Sequence, residues 1–197
     1  MDTYEHDVHC IFRRTGTTGF VIFERDGLLL RWRDPSSHLT LGDIDEDFVD
    51  MLRQLRNLNV RFGFISDRRG MDAWSYGRSE FAAVTRVLDE LLSVREAIPD
   101  FWMAWDSLSR AGTEVRHQDD QRPRPDGGMI QRATQWYDVD SRNAVFVGNS
   151  SRGIQAAKQA KIPGISYSAC RNDKATEIQR LGDTIERMLR QGHRPTA

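Results

Sequence analysis

Short apolar runs alternate with amphipathic segments along most of this chain, and no other feature limits its fold as strongly. The runs predicted as strands are GFVIFE (19–24), VRFGFIS (60–66), FWMAW (101–105), NAVFVGNS (143–150) and GISYS (164–168). The segments predicted as helices cover 43–59, 79–95, 129–137, 152–161 and 173–191. Strands that alternate with helices predict an α/β fold with a mainly parallel sheet and helices on both of its faces.

Composition and charge exclude several classes of protein. The 197 residues carry a formal net charge of −1, so no overall field attracts nucleic acid or a membrane surface. No apolar run approaches the roughly 20 residues that cross a bilayer, and the polar N-terminus lacks a signal-peptide core. Cys10 and Cys170 lie far apart without a CxxC pattern, which fits a reducing compartment. We therefore expect a cytoplasmic protein that binds neither nucleic acid nor membranes.

The periodicity also sets the expected domain boundaries. Residues 1–18 show no clean pattern and are predicted as an N-terminal tail, with at most a short strand at 8–12. Residues 19–197 are predicted as a single domain. Its middle segment, about 67–100, is compact enough to be a crossover, so no large cap domain is expected.

Polar residues follow several of the predicted strands. The strings ERDG (24–27), SDRRG (66–70) and GNSS (148–151) are strand exits, and RPRP (122–125) lies on a Pro- and Gly-broken loop. In open parallel sheets, ligands bind beyond the carboxyl ends of the strands, where such exits converge. Arginine forks bind phosphate or carboxylate oxygens in bidentate fashion. A functional site is therefore expected at this edge of the sheet.

The order of the polar strings resembles the haloacid dehalogenase (HAD) superfamily, and within it the histidinol-phosphate and heptose-bisphosphate phosphatase branch. The resemblance covers roughly residues 20–168. It is carried by ERDG (24–27), SDRRG (66–70), RPRPDGGM (122–129) and VGNSSRGIQAA (147–157). It implies a three-layer Rossmann-like fold.

The resemblance also implies roles for particular residues. Glu24 stands at the position of the attacking carboxylate and Asp26 at that of the general acid/base. Glu24, Asp26 and, more weakly, Asn149 stand where the family holds Mg²⁺. Ser66 and Arg122 match phosphate-binding positions, and the nearby arginines Arg25 and Arg124 add candidate phosphate contacts.

Departures from the family pattern predict impaired catalysis. Glu24 is one methylene longer than the expected aspartate, and displacements of roughly 1 Å can cost on the order of 100-fold in rate. Asn149 and Gly153 stand where two acids are expected, which weakens the predicted Mg²⁺ site because Mg²⁺ prefers anionic oxygens. The zinc loop of this branch is also missing: residues 106–121 contain His117 but no cysteine, so no zinc is expected.

Three functions stay open on the sequence. The first is a HAD phosphatase-like pseudoenzyme, weak or inactive, that binds a phosphorylated small molecule or a protein partner. The second is an active Mg²⁺-dependent phosphomonoesterase, and the third is a structural interaction module that uses Trp74, Trp102 and Trp105. Structural roles also compete at single sites: ERDG can be an ordinary strand-end turn, and Asn149 can cap the helix that follows it.

Overall fold

A computed structural model describes residues 8–12, 19–30, 41–67, 78–105, 127–168 and 173–192 of the chain. The strands are β1 (Val8–Phe12), β2 (Gly19–Glu24), β3 (Val60–Asp67), β4 (Phe101–Trp105), β5 (Ala144–Gly148) and β6 (Gly164–Ser166). The helices are α1 (Glu46–Asn57), α2 (Arg78–Val94), α3 (Gly127–Trp136), α4 (Ser151–Gln159) and α5 (Lys174–Gly192). Short 3-10 turns cover Leu41–Asp43 and Ser141–Asn143.

The strands form one sheet in the order β1-β4-β3-β2-β5-β6. All neighbouring pairs are parallel except β1 with β4, which are antiparallel. This confirms the predicted α/β fold with a mainly parallel sheet. Part of the segment predicted as a tail belongs to this sheet, because Val8 pairs with Trp105 and Phe12 with Phe101.

Two apolar layers cover the two faces of the sheet, because successive strand residues point to opposite sides. On one face, Phe23, Phe62 and Phe64 pack with the buried residues of α1, α2 and α5. On the other face, Phe20 and Phe146 pack with α3 and α4. The result is the three-layer arrangement that the resemblance implied.

Trp102 belongs to the first of these layers. Its ring stacks on Phe64 at a centroid distance of 4.9 Å, and its Nε1 donates to Asp89 at 2.9 Å. Only 1% of the residue is exposed. This tryptophan therefore stabilises the core and offers no surface to a partner.

A buried carboxylate joins β3, β4 and α1 at the edge of the sheet opposite the polar exits. Asp100 is 1% exposed and lies directly before β4. Its Oδ2 accepts hydrogen bonds from Nη1 of Arg56 and from the backbone N–H of Phe62, both at 3.0 Å. Because a buried charge needs such partners, this ion pair fixes the C-terminal end of α1 against the start of the parallel ladder.

Gly63 in β3 provides space for an aromatic ring. A Cβ at this position would lie 2.3 Å from the ring of Phe101, its partner on β4. The ring also stacks on Phe20 at 5.4 Å. The glycine is therefore required by close approach across the centre of the sheet.

The part of the chain that the structure describes contains no helix of the length and apolarity needed to cross a membrane.

Candidate active site

Three neighbouring strands bring the predicted site residues to one edge of the sheet. β2 ends at Glu24, which is in register with Ile65 of β3, so Ser66 lies one position further along. On the other side, Phe23 is in register with Val147 of β5, whose exit leads to Asn149. Glu24, Ser66 and Asn149 therefore lie at the same carboxyl edge, as predicted. Arg122 and Arg124 lie outside the described residues, and their phosphate contacts stay predictions.

The Glu24 carboxylate is held by the start of α4. Its Oε2 accepts from the backbone N–H groups of Asn149 and Ser150, both at 3.0 Å. Its Oε1 accepts from the hydroxyl of Ser150 at 2.6 Å. A carboxylate at a helix N-terminus is stabilised both by the free N–H groups and by the helix dipole. The residue that the resemblance puts at the nucleophile position thus supplies a negative charge at the N-terminus of α4.

Ser150, not Asn149, caps α4. Its side chain accepts a hydrogen bond from the N–H of Gly153 at 2.9 Å while its hydroxyl donates to Glu24. The capping role that the sequence allowed for Asn149 is therefore wrong, because the helix begins one residue later than that role requires. Asn149 instead contributes its backbone N–H to the carboxylate.

Two glycines leave room for this carboxylate. A Cβ on Gly148 would lie 2.7 Å from Oε2 of Glu24, and one on Gly153 would lie 3.1 Å from the same atom. Each would also meet the ring of Phe146, at 2.7 and 2.9 Å. Since real Cβ atoms rarely approach other atoms so closely, the Glu24 side chain depends on the absence of side chains at both positions.

Asp26 is paired with its neighbour in sequence. Nε and Nη2 of Arg25 donate to Oδ1 of Asp26 at 3.0 and 2.8 Å. Arg25 is only 1% exposed, and its backbone N–H donates to the carbonyl of Ile65. The guanidinium predicted to bind phosphate therefore binds the carboxylate predicted to act as acid/base. Its phosphate contact stays a prediction, and it requires Arg25 to reach a ligand from this buried pair.

The turn after β2 fits closely against the β5 exit. Gly27 has φ +82°, a conformation that glycine adopts readily, and a Cβ there would lie 1.8 Å from Nδ2 of Asn149. The turn and Asn149 thus leave no space for a larger residue at position 27.

Ser66 is a further described candidate for phosphate binding. It lies near the end of β3, opposite Ala104 of β4, and is 3% exposed. A hydroxyl at this place matches the position at which the resemblance puts a phosphate contact.

The donor set at this edge does not fit Mg²⁺. Both oxygens of Glu24 accept hydrogen bonds from Asn149 and Ser150, directly before α4, and Oδ1 of Asp26 accepts from a guanidinium. Asn149 supplies a neutral amide and Gly153 no side chain. Within the described ranges, no group of three or more His, Cys, Asp or Glu residues is placed to hold a metal ion. Mg²⁺ prefers several anionic oxygens in near-octahedral geometry, which these residues do not supply.

Solved structures share this architecture over most of the chain. A protein described as a HAD-like phosphatase from Mesorhizobium loti matches with TM-score 0.68 at 18% identity, over 94% of this chain and 96% of that one. The chain has the HAD-like phosphatase fold. A D,D-heptose 1.7-bisphosphate phosphatase from B. bronchiseptica, crystallised with magnesium and phosphate, matches with TM-score 0.58 at 18% identity, over 84% and 99% of the two chains.

A third HAD-like structure agrees with these two. It is a HAD-superfamily hydrolase of subfamily IA from Geobacter sulfurreducens, with TM-score 0.50 at 16% identity, over 83% of this chain and 98% of that one. No family model and no curated protein sequence matches the chain. The likeness to known proteins is therefore one of fold.

Sequence reasoning missed Ser150 and Gly148 as parts of the site. Ser150 carried a local signal, since serine is a favoured N-cap residue and the amphipathic pattern of α4 begins directly after it. Gly148 carried none, because its role depends on where the Glu24 side chain lies.

Proposed function

We propose that this chain is a HAD-fold phosphatase-like protein that has lost efficient phosphoryl transfer and binds a phosphorylated small molecule or a protein partner. The hydrogen bonds that hold the Glu24 carboxylate at the start of α4 carry this proposal. Its alternative is an active phosphomonoesterase with Glu24 as nucleophile.

Nucleophilic attack on phosphorus requires a carboxylate oxygen with an available lone pair, placed in line with the leaving oxygen. Oε2 of Glu24 accepts two hydrogen bonds and Oε1 accepts one, so these bonds orient the carboxylate toward Asn149 and Ser150. We expect that an attack on phosphorus requires the side chain to give up part of these bonds and turn an oxygen toward the phosphate. Positioning supplies much of the rate in this chemistry, so an attacking group held elsewhere is expected to be slow.

The pairing of Asp26 with Arg25 is expected to disfavour both proton transfer and metal binding. A general acid/base needs a carboxylate that can exchange a proton with the reacting oxygen, and Asp26 is paired with Arg25. The positive guanidinium beside Asp26 also opposes a second cation at this place. We therefore propose weak Mg²⁺ binding rather than the tight site of a working phosphatase.

Ligand binding is proposed on different residues. Ser66 remains at the carboxyl edge, Arg122 keeps positive charge at the position where the resemblance expects a phosphate contact, and Arg124 adds a second guanidinium nearby in the sequence. A phosphate group held by hydroxyl and guanidinium donors needs no attacking carboxylate. A role as an interaction module through Trp102 is disfavoured, because that side chain is buried.

Activity is tested with a generic aryl phosphate and Mg²⁺. The wild type is expected to release product at the rate of the buffer alone. Turnover that is abolished in Glu24→Gln would refute the proposal and establish the phosphomonoesterase. The triple variant Glu24→Asp, Asn149→Asp, Gly153→Asp restores the acids of the family pattern, and activity in this variant would show that these three positions account for the loss.

Binding is tested by thermal unfolding with inorganic phosphate at millimolar concentration. A rise in the unfolding midpoint that disappears in Ser66→Ala and in Arg122→Ala supports a phosphate site, since a ligand that binds only the folded state stabilises it. Arg86→Ala, an exposed position on α2, is the matched control for removing one positive charge. If phosphate fails to raise the midpoint of the wild type, the proposed phosphate binding is wrong.

A further inference from the structure

The Glu24 carboxylate occupies the space that a side chain at position 148 or 153 would need. Oε2 of Glu24 lies 3.1 Å from where a Cβ on Gly153 would be placed, and 2.7 Å from a Cβ on Gly148. The same oxygen accepts hydrogen bonds from two backbone N–H groups at 3.0 Å. A large displacement of Oε2 would break these bonds.

We infer that Glu24 and Gly153 form a coupled pair that closes this site. The carboxylate on the strand takes the space that a side chain at 153 would need, and so becomes the anion at the N-terminus of α4. We call this arrangement, made of Glu24, Ser150 and Gly153, the Glu24 latch. The inference rests on the proposed function, because it names the contact that holds the chain in its inactive form.

The length of the Glu24 side chain makes the Glu24 latch possible. The Glu24 side chain extends from the end of β2 to the residues directly before α4, where its carboxylate accepts hydrogen bonds from two N–H groups and one hydroxyl. An aspartate at position 24 is shorter by one methylene and would leave these donors to water. A side chain at 153 then no longer meets a carboxylate oxygen, although it still meets the ring of Phe146.

The latch therefore predicts that the two positions cannot be changed independently. In the wild-type background, Gly153→Asp places a second carboxylate beside Oε2 of Glu24, so steric conflict and like-charge repulsion act together. In the Glu24→Asp background, the space near position 153 is no longer occupied by the glutamate carboxylate, and the N-terminus of α4 lacks that negative charge. An acid in the first turn of a helix is then favourable.

A double-mutant cycle on the full chain tests the pair. Thermal unfolding midpoints are measured for the wild type, Glu24→Asp, Gly153→Asp and the double variant. We expect each single variant to unfold at a lower temperature than the wild type. We expect the double variant to unfold at least about 3 °C above the temperature that the two separate losses predict, an effect of order 1 kcal/mol for a chain of this size. The clash with Phe146 is common to both backgrounds and cancels in the cycle.

Gly153→Ala provides a second cycle in case Gly153→Asp does not fold. It adds the Cβ without charge, so its coupling to position 24 is expected to have the same sign and a smaller size. A parallel cycle with Glu90, an exposed glutamate on α2, is the control: Glu90→Asp and Gly153→Asp should be additive within about 1 °C, because distant sites do not couple.

Additive losses at positions 24 and 153 in both cycles would overturn the inference. Its failure is distinct from failure of the proposed function, since the cycle measures unfolding and the function is judged by phosphatase turnover. An active wild type with a coupled cycle would show that positions 24 and 153 interact, but it would refute both the loss of activity and the idea that the pair closes the site. An inactive wild type with additive cycles would refute the coupled pair and leave the proposed loss of activity standing.

Discussion

Two substitutions of Glu24 separate the contribution of side-chain length to stability from the contribution of charge. Glu24→Asp keeps the negative charge and shortens the stem, whereas Glu24→Gln keeps the length and removes the charge. In the structure, Oε2 accepts from two backbone N–H groups and Oε1 accepts from the Ser150 hydroxyl. The two variants therefore break different parts of the same contact.

The magnitudes follow from these contacts. In Glu24→Asp all three hydrogen bonds are lost. Because the freed N–H groups of Asn149 and Ser150 lie near solvent, we assign the whole loss the value of about one hydrogen bond to a charged group, about 1.5–3 kcal/mol. In Glu24→Gln the amide oxygen can face the two N–H groups while its NH₂ donates to the Ser150 oxygen. The remaining loss is the interaction of the charge with the helix terminus, about 0.3–1 kcal/mol.

Thermal and urea unfolding of the full chain measure these losses. For a chain of this size, 1 kcal/mol moves the midpoint by about 2–4 °C, so we expect shifts of about 3–12 °C for Glu24→Asp and about 1–4 °C for Glu24→Gln. Glu90→Asp and Glu90→Gln, at an exposed position on α2, are the matched controls and should change stability by less than about 0.5 kcal/mol. If Glu24→Gln is the more damaging variant, charge rather than reach holds the side chain, and the reasoning about length is refuted.

Three further predictions concern the scaffold. Gly63→Ala drives a Cβ into the ring of Phe101 and should cost at least about 1–3 kcal/mol in urea unfolding, and a neutral result would contradict the packing described here. Asp100→Asn removes the charge of a buried ion pair and should cost about 1.5–3 kcal/mol, with unchanged secondary structure by circular dichroism. The hydrogen bond from the Arg142 side chain lowers the pKa of Asp140 to about 2, so the stabilising effect of the ionised carboxylate is present above about pH 4 and is lost as the pH falls through about 2. The stability difference between wild type and Asp140→Asn should therefore vanish between about pH 4 and pH 2. A difference that persists below this interval would refute the lowered pKa.

The fold was accessible from the sequence because its signals are local. The strands predicted at 19–24 and 101–105 match the structure in both bounds, and the helix predicted at 173–191 is displaced by one residue. Each of these elements is predicted by the spacing of apolar residues within a short segment of the sequence. The convergence of the polar exits followed from the parallel arrangement alone.

The chemistry of the site was not accessible in the same way. From the sequence, Gly153 shows only that an acid expected from the family pattern is missing. In the structure, the absence of a side chain at Gly153 also leaves room for the Glu24 carboxylate. The hydrogen bonds between Glu24 and Ser150 join residues 126 positions apart, and no local pattern specifies which rotamer a strand-end glutamate adopts. The pairing of Arg25 with Asp26 was likewise hidden, because an arginine beside an acid is more often a solvated charge.

The pairing of β1 with β4 has a consequence for how this protein forms during synthesis. Val8 precedes its partner Trp105 by 97 positions, so the ribosome makes β1 well before the strand with which it pairs. Until β4 has been made, β1 has no partner strand among the residues that the structure describes. Slow, long-range pairing of this kind leaves a β-forming segment open to wrong partners, so conditions that delay elongation are expected to favour aggregation of nascent chains that stop short of β4.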